Sequence, residues 1–310
     1  AADLSKLVNV GSLCIDLVYS VPSIVAAGET IASGQRQVFA GGKGLNQSLA
    51  AARAGASVSH FGAIGEDGDM LLDVLRGEGV DIAGVQQLDG PSGHAVIQVD
   101  ASGQNAIVIS GGSNRRLSAG LIDSALAGLQ PGDWVLLQNE INDVDVVMHK
   151  AAERGAAVAF NVAPPDERIH QYPVELLRLL VVNEHEAMAL AGSPSSAAAF
   201  DELIVRCPNT HIVLTKGKHG LMFRDADRAI TLSMPAFSVQ AVDETAAGDA
   251  FVGYLMAGLV GGLPLDDILK RASAAGALAV TAEGAAPSVP TAAAVDELLR
   301  TQSVPPITEI

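Results

Sequence analysis

Residues 243–255 read DETAAGDAFVGYL: three acids around a cluster of tiny residues, then a run that reads as the buried start of a helix. Asp249 stands at the mouth of that helix, after Gly248 and before Ala250, Phe251 and Val252. Two roles are open to it. An Asp near a helix N-terminus accepts backbone N–H bonds and complements the dipole, which is simple capping. Alternatively, the small side chains of Ala246, Ala247 and Gly248 leave first-turn amides bare for a ligand's anion, and Asp249 takes a proton from the group beside it.

A second stretch, AGGKGLNQSLAAARAGA (40–56), joins a strand end to a glycine-rich turn and an Ala-rich helix. It is not a P-loop: Gly44 follows the lysine where Ser or Thr is required, and position 37 is not glycine. No strand is followed by GxGxxG, which argues against a nicotinamide cofactor and an oxidoreductase. His185 and Glu186 open an HExxH pattern that fails at Ala189, and no GxSxG elbow is present.

These residues need elements to hold them. LVNVGSLCIDLVY (7–19) starts as a buried strand, and strands and helices then alternate along most of the chain. The pattern predicts helices over 46–54 with Asn46 as N-cap, over 142–154, over 173–180, from the Asp249 segment onward, and near 291–301. Such alternation means a parallel sheet covered on both faces. Runs 94–99 and 105–110, joined by a turn of Asp, Ser, Gly and Asn, read as a hairpin. With residues about 14–40 it forms a small antiparallel flap over one sheet edge. In open α/β sheets ligands sit beyond the carboxyl ends of the strands. Asp16, Glu140, Asn183, Lys216 and Gly217 all fall just past predicted strand ends, so one crevice can collect them.

Composition bounds the rest. The 310 residues, 49% hydrophobic, suffice for one large α/β domain spanning 1–310. A formal net charge of −16 argues against nucleic acid and anionic membrane surfaces as partners. The two cysteines, Cys14 and Cys207, read as thiols in a reducing compartment. No apolar run is long enough to span a membrane, and the first residues lack a signal-peptide pattern, so a cytoplasmic location is expected.

Segments 40–56 and 242–259 together resemble the two signature regions of the ribokinase-like (PfkB) sugar kinases. GSLCID (11–16), NEHE (183–186), TKGKHG (215–220) and EGAAPSVP (283–290) follow in the family's order. The resemblance implies a three-layer α/β/α domain with a β-sheet lid, and an ATP-dependent transfer of phosphate to a sugar's primary hydroxyl, with D-ribose as the first expectation. Another pentose, a ketose or a nucleoside, or a non-catalytic sensor, are the alternatives. By the same resemblance Asp249 is the catalytic base and the amides of Ala246, Ala247 and Gly248 form the anion hole. Asp16, Gly42, Lys43, Gly44, Asn46 and Glu140 touch the sugar. Asn183, Glu186, Thr215, Lys216, Gly217, Gly220 and Ser273 face the nucleotide and its Mg²⁺. Asp243, Thr245, Ala279, Ala282, Gly284 and Ser288 surround a monovalent cation, K⁺. A lid of this kind exposes a sheet edge, which invites a homodimer. One residue departs: Cys14 stands where the ribose kinases carry asparagine. A thiol is a weak donor and poor acceptor, so one sugar hydroxyl loses its amide partner.

Overall fold

The computed structural model describes residues 4–310. Strand β1 (Lys6–Val10) lies third from one edge of a ten-stranded sheet. Next come β2 (Cys14–Ser20), β3 (Gln35–Gly41), helix α1 (Lys43–Arg53) and β4 (Ser57–Ile64). Helix α2 (Asp69–Gly77), β5 (Val85–Gln87), β6 (Gly93–Val99) and β7 (Asn105–Ser110) follow, then α3 (Ala119–Ala127) and β8 (Trp134–Leu137). The alternation continues through α4 (Val144–Glu153), β9 (Ala157–Asn161), β10 (Leu179–Asn183), α5 (Glu184–Ala191), α6 (Ser196–Arg206) and β11 (His211–Thr215). Strands β12 (Leu221–Asp225) and β13 (Ile230–Met234) precede α7 (Ala247–Val260), α8 (Leu265–Val280), α9 (Ala292–Thr301) and the short β14 (Thr308–Glu309).

In space the sheet runs β5-β4-β1-β8-β9-β10-β11-β12-β13-β14, parallel as far as β11 and antiparallel beyond it. Successive strand residues face opposite sides, and this alternation splits the core in two. Leu7, Leu136, Leu179 and Val213 meet α1, α2, α7, α8 and α9, whereas Val8, Val135, Leu180 and Ile212 meet α3, α4, α5 and α6. The expected three-layer sandwich follows from these two sets of contacts.

The lid is a separate four-stranded sheet in the order β3-β2-β6-β7. Its outer pairs are antiparallel, as the hairpin pattern predicts, while the central β2–β6 pair is parallel. Two sequence expectations need correction. No α-helix covers 173–180: Pro173 leads into a single 3₁₀ turn, Val174–Leu176, and the chain then enters β10. Helix α1 starts three residues before the expected Asn46, because Gly42 adopts φ 91° and serves as its N-cap. Asn46 therefore lies inside the helix with its side chain free for other work.

Candidate active site

The glycine-rich turn is built by close approach. A Cβ at Gly44 would lie 2.3 Å from the Ser12 nitrogen, and one at Gly41 would lie 2.2 Å from Asp16 Oδ2. The turn thus lies flat against the β1–β2 connection and carries α1 beneath the lid. Glu140, just past β8, locks the arrangement: its Oε1 accepts from Ser12 Oγ at 2.7 Å and from the Lys43 amide at 2.8 Å.

Helix α7 arrives from the other side. Ala246 takes a left-handed conformation, φ 61°, and turns the chain sharply into the helix. The Ala247 amide donates to the Glu244 carbonyl at 3.3 Å. The amides of Ala246, Gly248 and Asp249 have no protein acceptor among the described residues. The bare N–H groups at this helix start are therefore those of Ala246, Gly248 and Asp249 rather than that of Ala247. Asp249 does not cap its own helix. It is buried, with Oδ2 accepting from Asn46 Nδ2 and Oδ1 from Gln47 Nε2, each at 3.0 Å.

These groups open onto one cavity of 540 Å³. Its walls include Cys14, Asp16, Gly42, Lys43, Asn46, Glu140, Asn183, Glu186, Thr215, Thr245, Ala246, Gly248 and Asp249. Elements far apart in sequence thus converge at the carboxyl ends of the parallel strands, where an open α/β sheet places its ligands. Asn46 Oδ1 is buried there, and no described residue donates to it.

The electrostatics are crowded. Asp249, and less strongly Glu140 and Glu186, hold the Lys43 ammonium above its usual range. Burial, then the Glu140 charge, pushes Asp16 up to about 6. Burial also pushes Glu186 up to about 7, with the Asn183 amide and Lys43 opposing it. Glu186 and Asn183 form a reciprocal capping box on α5: Asn183 Oδ1 accepts the Glu186 amide at 2.7 Å and Glu186 Oε1 accepts the Asn183 amide at 3.0 Å. Capping engages one oxygen of each side chain and does not exclude a ligand role.

Cys14 lies in the wall. Its sulfur accepts from Asn114 Nδ2 at 3.3 Å, and Asn114 also brackets the Leu13 amide and carbonyl. Burial and the Glu140 and Asp16 carboxylates keep the thiol far above its ordinary range, hence uncharged. Ala95 and Ile109 of the lid line the same cavity.

Not every expected residue reaches it. Lys216, Gly217, Gly220 and Ser273 lie outside the cavity lining. Ser273 Oγ contacts Met234 Sδ at 3.5 Å, and a Cβ at Gly220 would meet the Met234 carbonyl at 2.0 Å. The residues expected around a monovalent cation do come together. Asp243 accepts the Thr245 amide at 2.8 Å and the Gly284 amide at 3.1 Å, and Ser288 Oγ donates to the Ala285 carbonyl at 2.7 Å. The Ala279 carbonyl, at the end of α8, accepts the Ala282 amide at 3.3 Å. Ala282 and Gly284 carbonyls accept no hydrogen bond among the described residues, which fits a hard cation's demand for oxygen.

Sequence reasoning passed over several residues here: Ser12, Gln47, Asn114, Gln138 and Asn161. Gln47 had a visible signal, since Asn46, Gln47 and Ser48 are three polar residues in a row in an otherwise Ala-rich buried helix.

An uncovered helix start, a buried carboxylate and a lysine in one strand-end crevice define a phosphoryl-handling α/β site. The family model described as "pfkB family carbohydrate kinase" matches residues 4–292. The chain is 31% identical over 298 residues to a ribokinase from Haemophilus influenzae, covering 92% of this chain and 95% of that one. It is 30% identical over 301 residues to a deoxyribokinase from Salmonella typhi, covering 94% and 97%. Among solved structures it is similar to Arabidopsis thaliana ribokinase complexed with ribose and ATP, with a TM-score of 0.83 and 28% identity over 96% of this chain and 100% of that one. The chain belongs to the pfkB family of carbohydrate kinases.

Proposed function

We propose that the protein is an ATP-dependent sugar kinase that transfers the γ-phosphoryl group to the primary hydroxyl of D-ribose, giving ribose 5-phosphate and ADP. One observation carries the reading: a buried carboxylate, Asp249, sits within the same helical turn as two amides with no acceptor, and both face the cavity. Asp249 accepts the hydroxyl proton as the sugar oxygen bonds to phosphorus and the bond to ADP breaks. The amides of Gly248 and Asp249, aided by Ala246, hold the transferred phosphoryl oxygens. Lys43 adds a fixed positive charge, which is how a chain of net charge −16 accepts a polyanion. Asp16 and Glu140 accept hydrogen bonds from the sugar hydroxyls with Asn46 beside them, while the backbone at Gly42 and Gly44 shapes its bed. The lid excludes water, so the sugar is phosphorylated rather than solvent.

Asn183, Glu186 and Thr215 face the nucleotide end, with Lys216, Gly217, Gly220 and Ser273 around an adenosine lying beyond the cavity. Mg²⁺, when bound with ATP, neutralises phosphate charge, and the free Glu186 oxygen suits its water shell. Asp243, with the carbonyls of Thr245, Ala279, Ala282 and Gly284 and with Ser288, would hold K⁺ behind the loop that leads into α7. Two buried free thiols suit a reducing, cytoplasmic setting. The lid edge supports a homodimer: β7 has one unpaired side and carries exposed Ile107, Val108 and Ile109 in succession.

A second acceptor is favoured by Cys14. Its sulfur is already engaged by Asn114, and Ala95 and Ile109 in the lining of the same cavity are apolar, so this wall suits a pentose lacking one hydroxyl, such as 2-deoxyribose. ADP release with ribose, 2-deoxyribose, hexoses and nucleosides, with and without K⁺, tests both readings. Asp249→Asn is expected to lose about 10²–10⁴ in kcat while ATP still binds by calorimetry. An Asn variant as active as the unaltered chain ends the proposal.

A further inference from the structure

Behind Asp249 lies a chain of buried polar groups that the reading above leaves idle. Gln47 is fully buried and does not line the cavity. Its Nε2 donates to Asp249 Oδ1 and to Asn161 Oδ1, each at 3.0 Å, and its Oε1 accepts from Gln138 Nε2 at 2.8 Å. Gln138 Nε2 also donates to Asn9 Oδ1 at 3.0 Å. Asn9 Nδ2 donates to Ser48 Oγ at 2.8 Å and to the Gly44 carbonyl at 2.9 Å. Ser48 Oγ lies 2.7 Å from His60 Nδ1, and His60 Nε2 lies 3.0 Å from the Gly11 carbonyl.

The direction of every bond in this chain follows from one end. A carbonyl only accepts, so His60 Nε2 carries a proton. Burial holds His60 down at about 4, so the ring is neutral and Nδ1 is an acceptor. Ser48 therefore donates to His60 and accepts from Asn9. Both Asn9 Nδ2 hydrogens are then committed, as are both on Gln138 Nε2 and both on Gln47 Nε2. Turning the Gln47 amide over would set Oε1 against the Asp249 carboxylate and Nε2 against the Gln138 nitrogen. Only an N–H can face Asp249.

Given that Asp249 is the base of a sugar kinase, we propose that Gln47 is a positioning residue for it. Through Gln138 and Asn161 the relay fixes the Gln47 amide, and that amide holds the carboxylate in one rotamer. A donor that cannot reverse favours the ionised carboxylate over the acid, since a hydrogen bond to the charged form stabilises it. The two donors, Gln47 and Asn46, each take one oxygen of Asp249 and leave the remaining lone pairs toward the cavity. Gln47 acts from outside the cavity lining, without touching the sugar.

The test is steady-state kinetics on the full chain with ATP and Mg²⁺ across pH 5–9, using whichever of ribose and 2-deoxyribose the unaltered chain phosphorylates. Gln47→Leu removes the donor. It is expected to lower kcat by about 10–100-fold with KM for ATP within about twofold, since small misplacement of a reacting group costs up to about 10². The acid limb of the kcat profile, where the base takes up a proton, moves to higher pH. Asp249 is faced by Lys43 from α1, Glu140 after β8, Glu186 from α5 and Glu244 before α7, with Asp16 from β2 in the same cavity. The substitution removes none of these charges, so the limb reports the lost donor.

Gln47→Glu supplies the stricter readout. A carboxyl at 47 can donate to Asp249 only while protonated, so activity should now fall as pH rises, the reverse of the unaltered chain's acid limb. Gln138→Leu, one bond further back, is expected to move the same limb in the same direction by less, and it decides the matter should Gln47→Leu fail to fold. Folded variants with kcat within twofold and an unmoved limb overturn the proposal while the kinase reading stands. An unaltered chain that turns over no sugar ends the kinase reading, and the proposal with it.

Discussion

Asp16 offers a sharp test of whether this cavity is built for a ligand rather than for stability. The carboxylate lies against Gly41 and is largely removed from water, and no donor among the described residues offsets the loss. Burial and the Glu140 charge raise it from 3.8 to about 6. A folded value above the unfolded one means the folded state favours the protonated acid. The group imposes no penalty below the unfolded value, and folding stability is lost as pH rises through about 6. A shift of that size corresponds to about 3 kcal/mol, and the partial exposure of Asp16 reduces it to about 2 kcal/mol. Asp16→Asn removes the charge without changing the shape. It should therefore stabilise the protein by about 2 kcal/mol at pH 8 and by almost nothing at pH 4.

For a chain of this length that gain is a rise of about 3 °C in Tm at pH 8, read by scanning calorimetry on both proteins at the two pH values. D-ribose supplies the control. Its hydroxyls provide the donors that Asp16 lacks, so saturating ribose should raise Tm of the unaltered chain and leave the Asn variant nearly unmoved. A variant less stable than its parent at pH 8, or a gain that does not depend on pH, would refute the idea that Asp16 is kept ionised at a cost for the sugar's sake.

Two further outcomes are expected. Cys14→Asn should restore an amide to the sugar-binding wall and favour ribose over 2-deoxyribose by about 10–100-fold in relative kcat/KM, the range for one buried hydrogen bond of about 1–3 kcal/mol; an unchanged ratio would show that Cys14 does not face the distinguishing hydroxyl. Val108→Lys on the exposed lid edge should convert a dimer to a monomer in light scattering at micromolar concentration, and an unaltered chain that is already monomeric would remove the lid as an interface.

The layers of the fold were legible because buried parallel strands are near-continuous apolar runs. LVNV, WVLL and LLVV each mark a strand by composition alone. The hairpin Gly93–Val99 with Asn105–Ser110 was equally plain, from its turn residues. Helices α3 and α6 escaped notice, lying in stretches between strong strand signals where sequence offered only Ser118 and Ser195 as caps. The site divides along the same line. Asp249 and Lys43 stood out as charges among small residues at a helix start, and Asp16 and Glu140 as acids just past predicted strand ends. Gln47, Gln138, Asn114 and Asn161 did not, since an uncharged amide shows its purpose only when its partners, up to 202 residues away, are in view. Which amides are bare was equally hidden: the Glu244 carbonyl engages Ala247 only because Ala246 turns left-handed.

The charge arrangement divides the cavity between its two ligands. Asp16 and Glu140 present only acceptors on the side roofed by Ala95 and Ile109 of the lid, and acceptors suit the hydroxyl hydrogens of a neutral polyol. An anion entering there would meet like charge in a half-dry space. The donors stand at the other end, where Gly248 and Asp249 offer N–H groups and Lys43 bridges toward Asp249. Asp249 lies at the junction of the two halves, its oxygens held by Asn46 and Gln47. A hydroxyl bound by the acceptor side can reach a phosphoryl group bound by the donor side only by passing this carboxylate. That placement is the reason we propose Asp249 as the group to which the proton goes.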